Sequence, residues 1–351
     1  MARSLVFLDS FDHYDNLNLK WDDNGGTGSE IDLSGTRART GIGCCLIGGA
    51  FGPVLSVTPI SGPGTALMMC TAFYQPQLQD STGSGVLSFH SVSFTSSATL
   101  FRVGVNANLG LTCVDIFGAP FPGGTSAPNI VVANAYNIIE AKVFFVASGG
   151  GSAIIRCNGA TVLTLTGIST LLPTSSFVAC TFVQLGGPGG LGGGVHDDFT
   201  LWTSTSQTDD DFPGGVKIYA VVPSANGALD QWTPLSGTNW SEVNEIPPNG
   251  DTSYNSSAVP GNTDLYVFNP TLAGVPSGLI VLALQHSLCT RVDAGTASVA
   301  SVVGADAAAG VAVGGSYHFV PIQPYDTNPV AGRGWLLTDF PATQLGPKQT
   351  A

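Results

Sequence analysis

Among the side chains that could do chemistry, the carboxylates come first. Glycoside hydrolysis needs two carboxyls about 5–5.5 Å apart for retention or about 6.5–9.5 Å apart for inversion, both facing one cleft. On a strand that means i, i+2 or i, i+4 spacing, because alternate residues share a face. No Glu-x-Asp-x-x-Glu run occurs. Glu140 is followed by Lys142, Phe144 and Phe145, and Glu242 and Glu245 stand three apart in a loop-like stretch. A nucleophilic centre fares no better: no Gly-x-Ser-x-Gly elbow is present, and His13, His90, His196, His286 and His318 have no evident partner. Gly187-Pro188-Gly189-Gly190-Leu191-Gly192 matches GxGxxG in form, but "GGVHDDF" follows where a helix must open, so it reads as a glycine loop. The seven cysteines (Cys44, Cys45, Cys70, Cys113, Cys157, Cys180, Cys289) are odd in number and lack CxxC or His-partnered spacing, which predicts neither a zinc site nor a disulfide framework. Several sit in apolar runs such as "LMMCTAF" and "FVACTFV", where Cys acts as a small buried hydrophobe. These residue types predict no enzyme. Tyr136, Trp202, Trp232, Trp240 and Trp335 remain as stacking platforms for sugars; Trp232 and Trp240 lie in a long loop region and are the candidate glycan contacts.

The elements that must position these residues are strands. "SLVFLDSF", "GVLSFHSVSF", "TLFRVGVNA", "LTCVDIFG", "SFVACTFVQLG" and "DDFTLWTS" are short runs rich in Val, Ile, Phe and Thr, bounded by Gly, Pro, Ser or Asn. No segment sustains a 3.6-residue apolar period. In "NIIEAKVFFVASGGGSAIIRCNGATVLTLTG", Ile139, Ala141, Val143 and Phe145 alternate against Glu140, Lys142, Phe144 and Val146. The chain then turns at Gly149-Gly150-Gly151 and again at Asn158-Gly159, a three-stranded meander.

Composition limits the partners. Charged residues are only 10% of 351, against about a quarter in an average domain. Charge is depleted at the centres of buried interfaces, so assembly into something larger is the expectation, with a low-charge monomer as the plain alternative. The net charge of −13 reflects only 11 Lys and Arg, and these do not cluster, which argues against nucleic acid. No basic region followed by an apolar stretch opens the chain and no run of about 18 apolar residues occurs, so the sequence predicts neither signal peptide nor membrane span. Unpaired cysteines point to assembly in a reducing compartment.

From the opening "FLDSFDHY" through "IEAKV" and "RCNGATV" to the closing "DDFTLW", residues 4–205 resemble laminin G-like or concanavalin A-like jelly-roll domains. The chain then passes through an acidic, Gly/Pro-containing segment, and its second half, including "PPNGDTSY", resembles the partner domain of tailed-bacteriophage virion proteins. The expected organisation is an N-terminal jelly roll at 1–207, a linker at 208–214 and a second β-sandwich at 215–351, opening with a strand "VKIYAVVP" and a turn at Asn226-Gly227. The resemblance implies a virion structural protein, a component of a capsid or tail appendage such as a fibre or decoration. It would assemble in the host cytoplasm with other virion proteins and with copies of itself, for which a trimer fits. The alternative is a carbohydrate-binding host-adhesion module. A polysaccharide-degrading enzyme is least favoured, because the paired-carboxylate motif is missing. Pairing of the first and last strands, implied by the same resemblance, brings Asp9 and Asp12 near Asp197 and Asp198 as a candidate Ca2+ site, Ca2+ being the one cofactor considered.

Overall fold

The computed structural model describes all residues except 1–2, 24–28, 48–51, 63, 75–83, 93–96, 116–117, 148, 172–178, 187–193, 209 and 272–273. The glycine loop at 187–192 lies outside the described residues. The protein is all-β and divides into two units. Unit 1 comprises Met1–Phe11 and Asp15–Ile218, and unit 2 comprises Asp12–Tyr14 and Tyr219–Ala351.

Unit 1 is a jelly-roll sandwich of β1 (Arg3–Asp9), β2 (Ser29–Asp32), β3 (Cys44–Ile47), β4 (Val54–Ile60), β5 (Ala66–Tyr74), β6 (Ser84–Val92), β7 (Ser97–Val105), β8 (Leu111–Val114), β9 (Pro120–Thr125), β10 (Tyr136–Phe144), β11 (Gly151–Cys157), β12 (Ala160–Ile168), β13 (Cys180–Leu185) and β14 (Val195–Ser204). One sheet runs β12-β11-β10-β5-β14-β3-β2, with β1 added on β14; the other runs β4-β13-β6-β7-β8-β9. The expected meander is β10-β11-β12, with Ile139 opposite Cys157 and Ile155 opposite Leu163. Its second turn places Asn158 at φ +50° and Gly159 at φ +83°, which is why Asn-Gly stands there. First and last strands do pair, Asp9 opposite Phe199.

Burial separates the strands by position. The outer strand β12 alternates between exposed and buried residues. Central β5, "ALMMCTAFY", is buried at every residue but the last, and β10 buries even Glu140 and Lys142. An unbroken apolar strand marks a sheet covered on both faces. One face of this sheet carries Leu67, Met69, Ile139, Ala141 and Val143 in the sandwich core. Something must therefore cover the other.

That cover is the segment expected to be a linker. Residues 210–218 make no strand, belong to unit 1 and lie on the outward face of the eight-stranded sheet, with Phe212 and Ile218 each only 8% exposed. The division between units falls at Ile218/Tyr219.

Unit 2 contains β15 (Pro223–Asp230), β16 (Thr233–Pro234), β17 (Asn255–Ser256), β18 (Asp264–Phe268), β19 (Leu284–Thr290), β20 (Ala297–Val303), β21 (Asp306–Ala307), β22 (Val311–Val313), β23 (His318–Tyr325) and β24 (Leu345–Gln349). A six-stranded sheet, β15-β18-β24-β20-β21 with β22 on β20, is accompanied by a β19–β23 ribbon. Tyr266, Phe268, Val303, Trp335, Phe340 and Leu345 form its core. Two expectations are corrected here. "VKIYAVVP" forms no strand before Pro223, and Asn226-Gly227 lies inside β15, where pairing with β18 is irregular between Asn226 and Asp230, instead of turning the chain. All seven cysteines are free, six of them buried. Among the described residues no helix is long and apolar enough to cross a membrane.

Candidate functional site

Cross-strand partners point to the same face of a sheet, so register shows what the outward face of the eight-stranded sheet carries. The row at one end joins Glu30, Leu46, Val195, Tyr74 and Tyr136. Further along, Thr200, Cys70, Glu140 and Arg156 form a second row, and Trp202, Met68, Lys142 and Ile154 a third. The face is thus polar and ionic at its centre and aromatic at one end.

At the β2–β3 end it is open. A groove of about 470 Å³ is lined by Glu30, Ile31, Asp32, Leu33, Ser34, Thr36, Arg37 and Leu46. The side chain and the N–H of Ser34 hold the Asp32 carboxyl below the usual range, so it is ionised at neutral pH. Beside the groove the rings of Tyr74 and Tyr136 lie 5.5 Å apart, and the Tyr136 hydroxyl donates to the Arg37 carbonyl. Burial pushes the Tyr136 phenol up, so it stays a neutral donor.

Toward the centre the face is closed. Lys142 Nζ binds the Asp211 carboxylate and donates to the carbonyls of Thr208 (2.6 Å) and Ser206 (3.3 Å). Ser204 Oγ donates to the other Asp211 oxygen, and Arg3 donates to the Asp211 carbonyl. The Phe212 ring sits under two cations, Lys142 Nζ at 4.8 Å and the Arg156 guanidinium at 5.1 Å. Glu140 Oε1 accepts from Gly214 N at 2.8 Å. Burial raises the Glu140 pKa, opposed by that N–H and by Arg156.

The expected calcium ligands are placed as follows. Asp9 Oδ1 accepts from Phe11 N (3.0 Å) and Lys20 Nζ (3.1 Å), and Oδ2 from Trp21 Nε1 (2.8 Å). Asp197 and Asp198 lie at a bulge of β14 where Asp198 takes φ +50°. Asp197 Oδ2 accepts from the backbone of Arg39 (2.6 Å) and Thr40 (3.0 Å). Asp198 holds Arg39 Nη1 at 2.6 Å, Thr40 Oγ1 at 3.0 Å and Ile218 N at 2.7 Å. Burial, and next the Asp198 charge, push Asp197 up to about 8. Asp12 is buried and belongs to unit 2. Among the described residues no group of three or more His, Cys, Asp or Glu is arranged to hold a metal. Asp9, Asp197 and Asp198 serve lysine, arginine, hydroxyl, indole and amide donors.

The candidate glycan contacts are partly consumed by the fold. Trp232 Nε1 donates to the Asn262 carbonyl (3.1 Å), and Trp240 packs against the core of unit 2. Glu242 Oε1 accepts from Ser236 Oγ. Sequence reasoning missed the groove residues altogether: Glu30, Asp32, Ser34 and Arg37 lie on a short strand and loop with no motif. Of the aromatics flagged, Tyr136 alone stands beside the groove.

No protein-family model matches the chain, and no curated protein does. Solved structures do resemble it. The endo-β-1,4-glucuronan lyase of the fungus Trichoderma reesei is 14% identical over 59% of this chain and 98% of its own, with a TM-score of 0.41. The cellulose-induced protein Cip1 is 16% identical over 56% and 96%, at 0.39. The alginate lyase vAL-1 of a Chlorella virus is 14% identical over 58% and 100%, at 0.35. These are likenesses of fold. They run against two expectations, the non-enzymatic role and the virion structural role, since the solved structures of similar fold include polysaccharide lyases.

Proposed function

We propose that this protein recognises a carbohydrate chain, which enters on the outward face of the eight-stranded sheet at the β2–β3 groove. The observation that carries this reading is the groove's composition. Glu30 and Asp32 can accept from sugar hydroxyls, Arg37 can donate, Ser34 and Thr36 can do both, and Ile31, Leu33 and Leu46 supply apolar contact. The lining is more polar than apolar, which suits a ligand dense in hydroxyls that both donate and accept. The Tyr74–Tyr136 pair adds aromatic faces at the edge.

A panel of soluble polysaccharides, tested by affinity electrophoresis and calorimetry on the full chain, checks the reading. Asp32→Ala and Arg37→Ala are expected to weaken binding about ten- to a hundredfold each, the loss of one charge-assisted hydrogen bond of about 1.5–3 kcal/mol. The proposal is lost if no polysaccharide binds, or if one binds and neither variant alters it. New reducing ends and unsaturated ends, sought in the same mixtures, separate recognition alone from cleavage.

A further inference from the structure

The segment Asp210–Ile218 covers the centre of the outward face, and the way it does so resembles a bound ligand more than a third layer of the sandwich. It makes no β ladder. Among the described contacts it is held by the Asp211 carboxylate on Lys142 and Ser204, by the Phe212 ring beneath Lys142 and Arg156, and by Gly214 N on Glu140. Arg39 grips the Val216 carbonyl at 2.7 Å, and Asp198 takes Ile218 N.

The fit is incomplete. Glu140 Oε2, Arg156 Nε and Trp202 Nε1 are buried on this face without a hydrogen-bond partner, the first two meeting only as a long ion pair at 3.9 Å. Glu140 is fully buried and Trp202 is 3% exposed, so neither is relieved by solvent. A buried polar atom left unpaired is costly, and its persistence on a face calls for an explanation. One orphan is an acceptor and two are donors. A hydroxyl-bearing ligand can donate to the first and accept from the others, whereas the backbone N–H and C=O groups of Phe212–Gly215 do not reach these three atoms, the Gly214 N–H being spent on Glu140 Oε1.

We infer that Asp210–Ile218 is a displaceable, autoinhibitory strap. Its Asp211 carboxylate occupies the position that a carboxylate of a sugar chain takes when the strap leaves and the site extends inward from the groove. The inference rests on the carbohydrate reading for its ligand. The cradle favours a carboxylate: Lys142, Arg156 and Arg3, three of only 11 basic residues in the chain, meet the strap there. An internal competitor lowers apparent affinity by the fraction of time the face is open, so a strap closed nine-tenths of the time costs about tenfold.

The test uses the full chain and the double variant Asp211→Ala/Phe212→Ala, which removes both anchors. Hydrogen exchange should show faster exchange confined to residues 210–218, with β5 and β10 still protected. Calorimetry with a glucuronate hexamer should show binding at least tenfold tighter than to the unsubstituted chain, a gain not seen with the neutral glucose hexamer. Adding Lys142→Gln should abolish that gain. If the double variant does not fold, the hexamer is titrated into the unsubstituted chain, where exchange at 210–218 should accelerate at saturation. The strap inference is overturned if the strap opens without tighter hexamer binding, if neutral and acidic hexamers gain equally, if a peptide of residues 208–218 binds the open face while the hexamer does not, or if strap exchange is indifferent to the hexamer. Silence of Asp32→Ala and Arg37→Ala strikes the groove reading alone. Binding that follows those variants but ignores the strap strikes only this one.

Discussion

At the scale of single residues, the buried ions are committed to holding the chain. Asp9 and Lys20 are each essentially unexposed and 3.1 Å apart, and Asp9 also fixes Trp21 and the amide of Phe11. Burial lowers the Lys20 pKa, and the Asp9 charge works against that shift. Removing one partner of a buried pair strands the other charge, at about 3–5 kcal/mol, whereas removing both can be close to neutral. Urea unfolding of Lys20→Met should therefore show a loss in that range, with the double variant Asp9→Leu/Lys20→Met closer to the parent. A single variant no less stable than the parent would mean that the pair is not what holds β1 to the following loop. Asp9 was legible as a special residue in the sequence, but its partner was not. Lys20 stands eleven positions away in an irregular stretch with no spacing rule to connect them.

At the scale of elements, the β10–β11–β12 meander was the most legible part of the fold, because each turn is local and its residues are chosen by backbone conformation. Gly159 has room for a methyl group, its nearest neighbour being Arg156 Nη2 at 4.0 Å, yet sits at φ +83°. The cost of Gly159→Ala is thus conformational, about 1 kcal/mol or more. Thermal melting should register that loss, and an unchanged melting temperature would contradict the assigned turn. Strands β2, β3, β4 and β9 were not legible. Apart from β4 they are short; all border glycine-rich or polar stretches and owe their existence to neighbours distant in sequence, such as Val195 and His196 beside Leu46 and Cys45. The groove lies on two of them, which is why no motif announced it.

At the scale of the whole molecule, the two units should respond differently to acid. His286, against Ser301 Oγ at 2.6 Å, is pushed by burial down to about 4, and buried His196 down to about 3. Each His stays neutral in the fold while the unfolded chain takes up a proton below about 6.5, so the stability it supports is complete above 6.5 and declines as pH falls toward the folded value. Asp197, raised to about 8, acts in reverse: its contribution is complete below 3.8 and is lost as pH rises toward 8. In unit 1 the two trends oppose each other between pH 4 and 6.5; in unit 2 no carboxyl with a described shift is raised to offset His286. Calorimetry from pH 7 to 4.5 should thus show the melting of unit 2 falling further than that of unit 1, and His286→Gln should flatten only the former. Equal declines in both units would refute this assignment.

The sequence by itself determined what local physics determines, an all-β chain and its β10–β11–β12 meander, while the jelly-roll form of the first half and the pairing of its first and last strands were implied only by resemblance. The all-β class and the meander follow from short β-rich runs and turn residues, which act over a few positions. Only the tertiary structure decided that "TDDDFPGG" is no simple joint. An acidic Gly/Pro stretch is composed like a linker, and nothing local distinguishes a free linker from a strap whose aspartate meets a lysine 69 positions earlier. The same holds for the site. Glu140, Lys142 and Arg156 looked like an alternating strand pattern and a turn, and became one cradle because β10 and β11 pair in that register. The groove at Glu30, Asp32 and Arg37 exists because β3 joins the far end of β14.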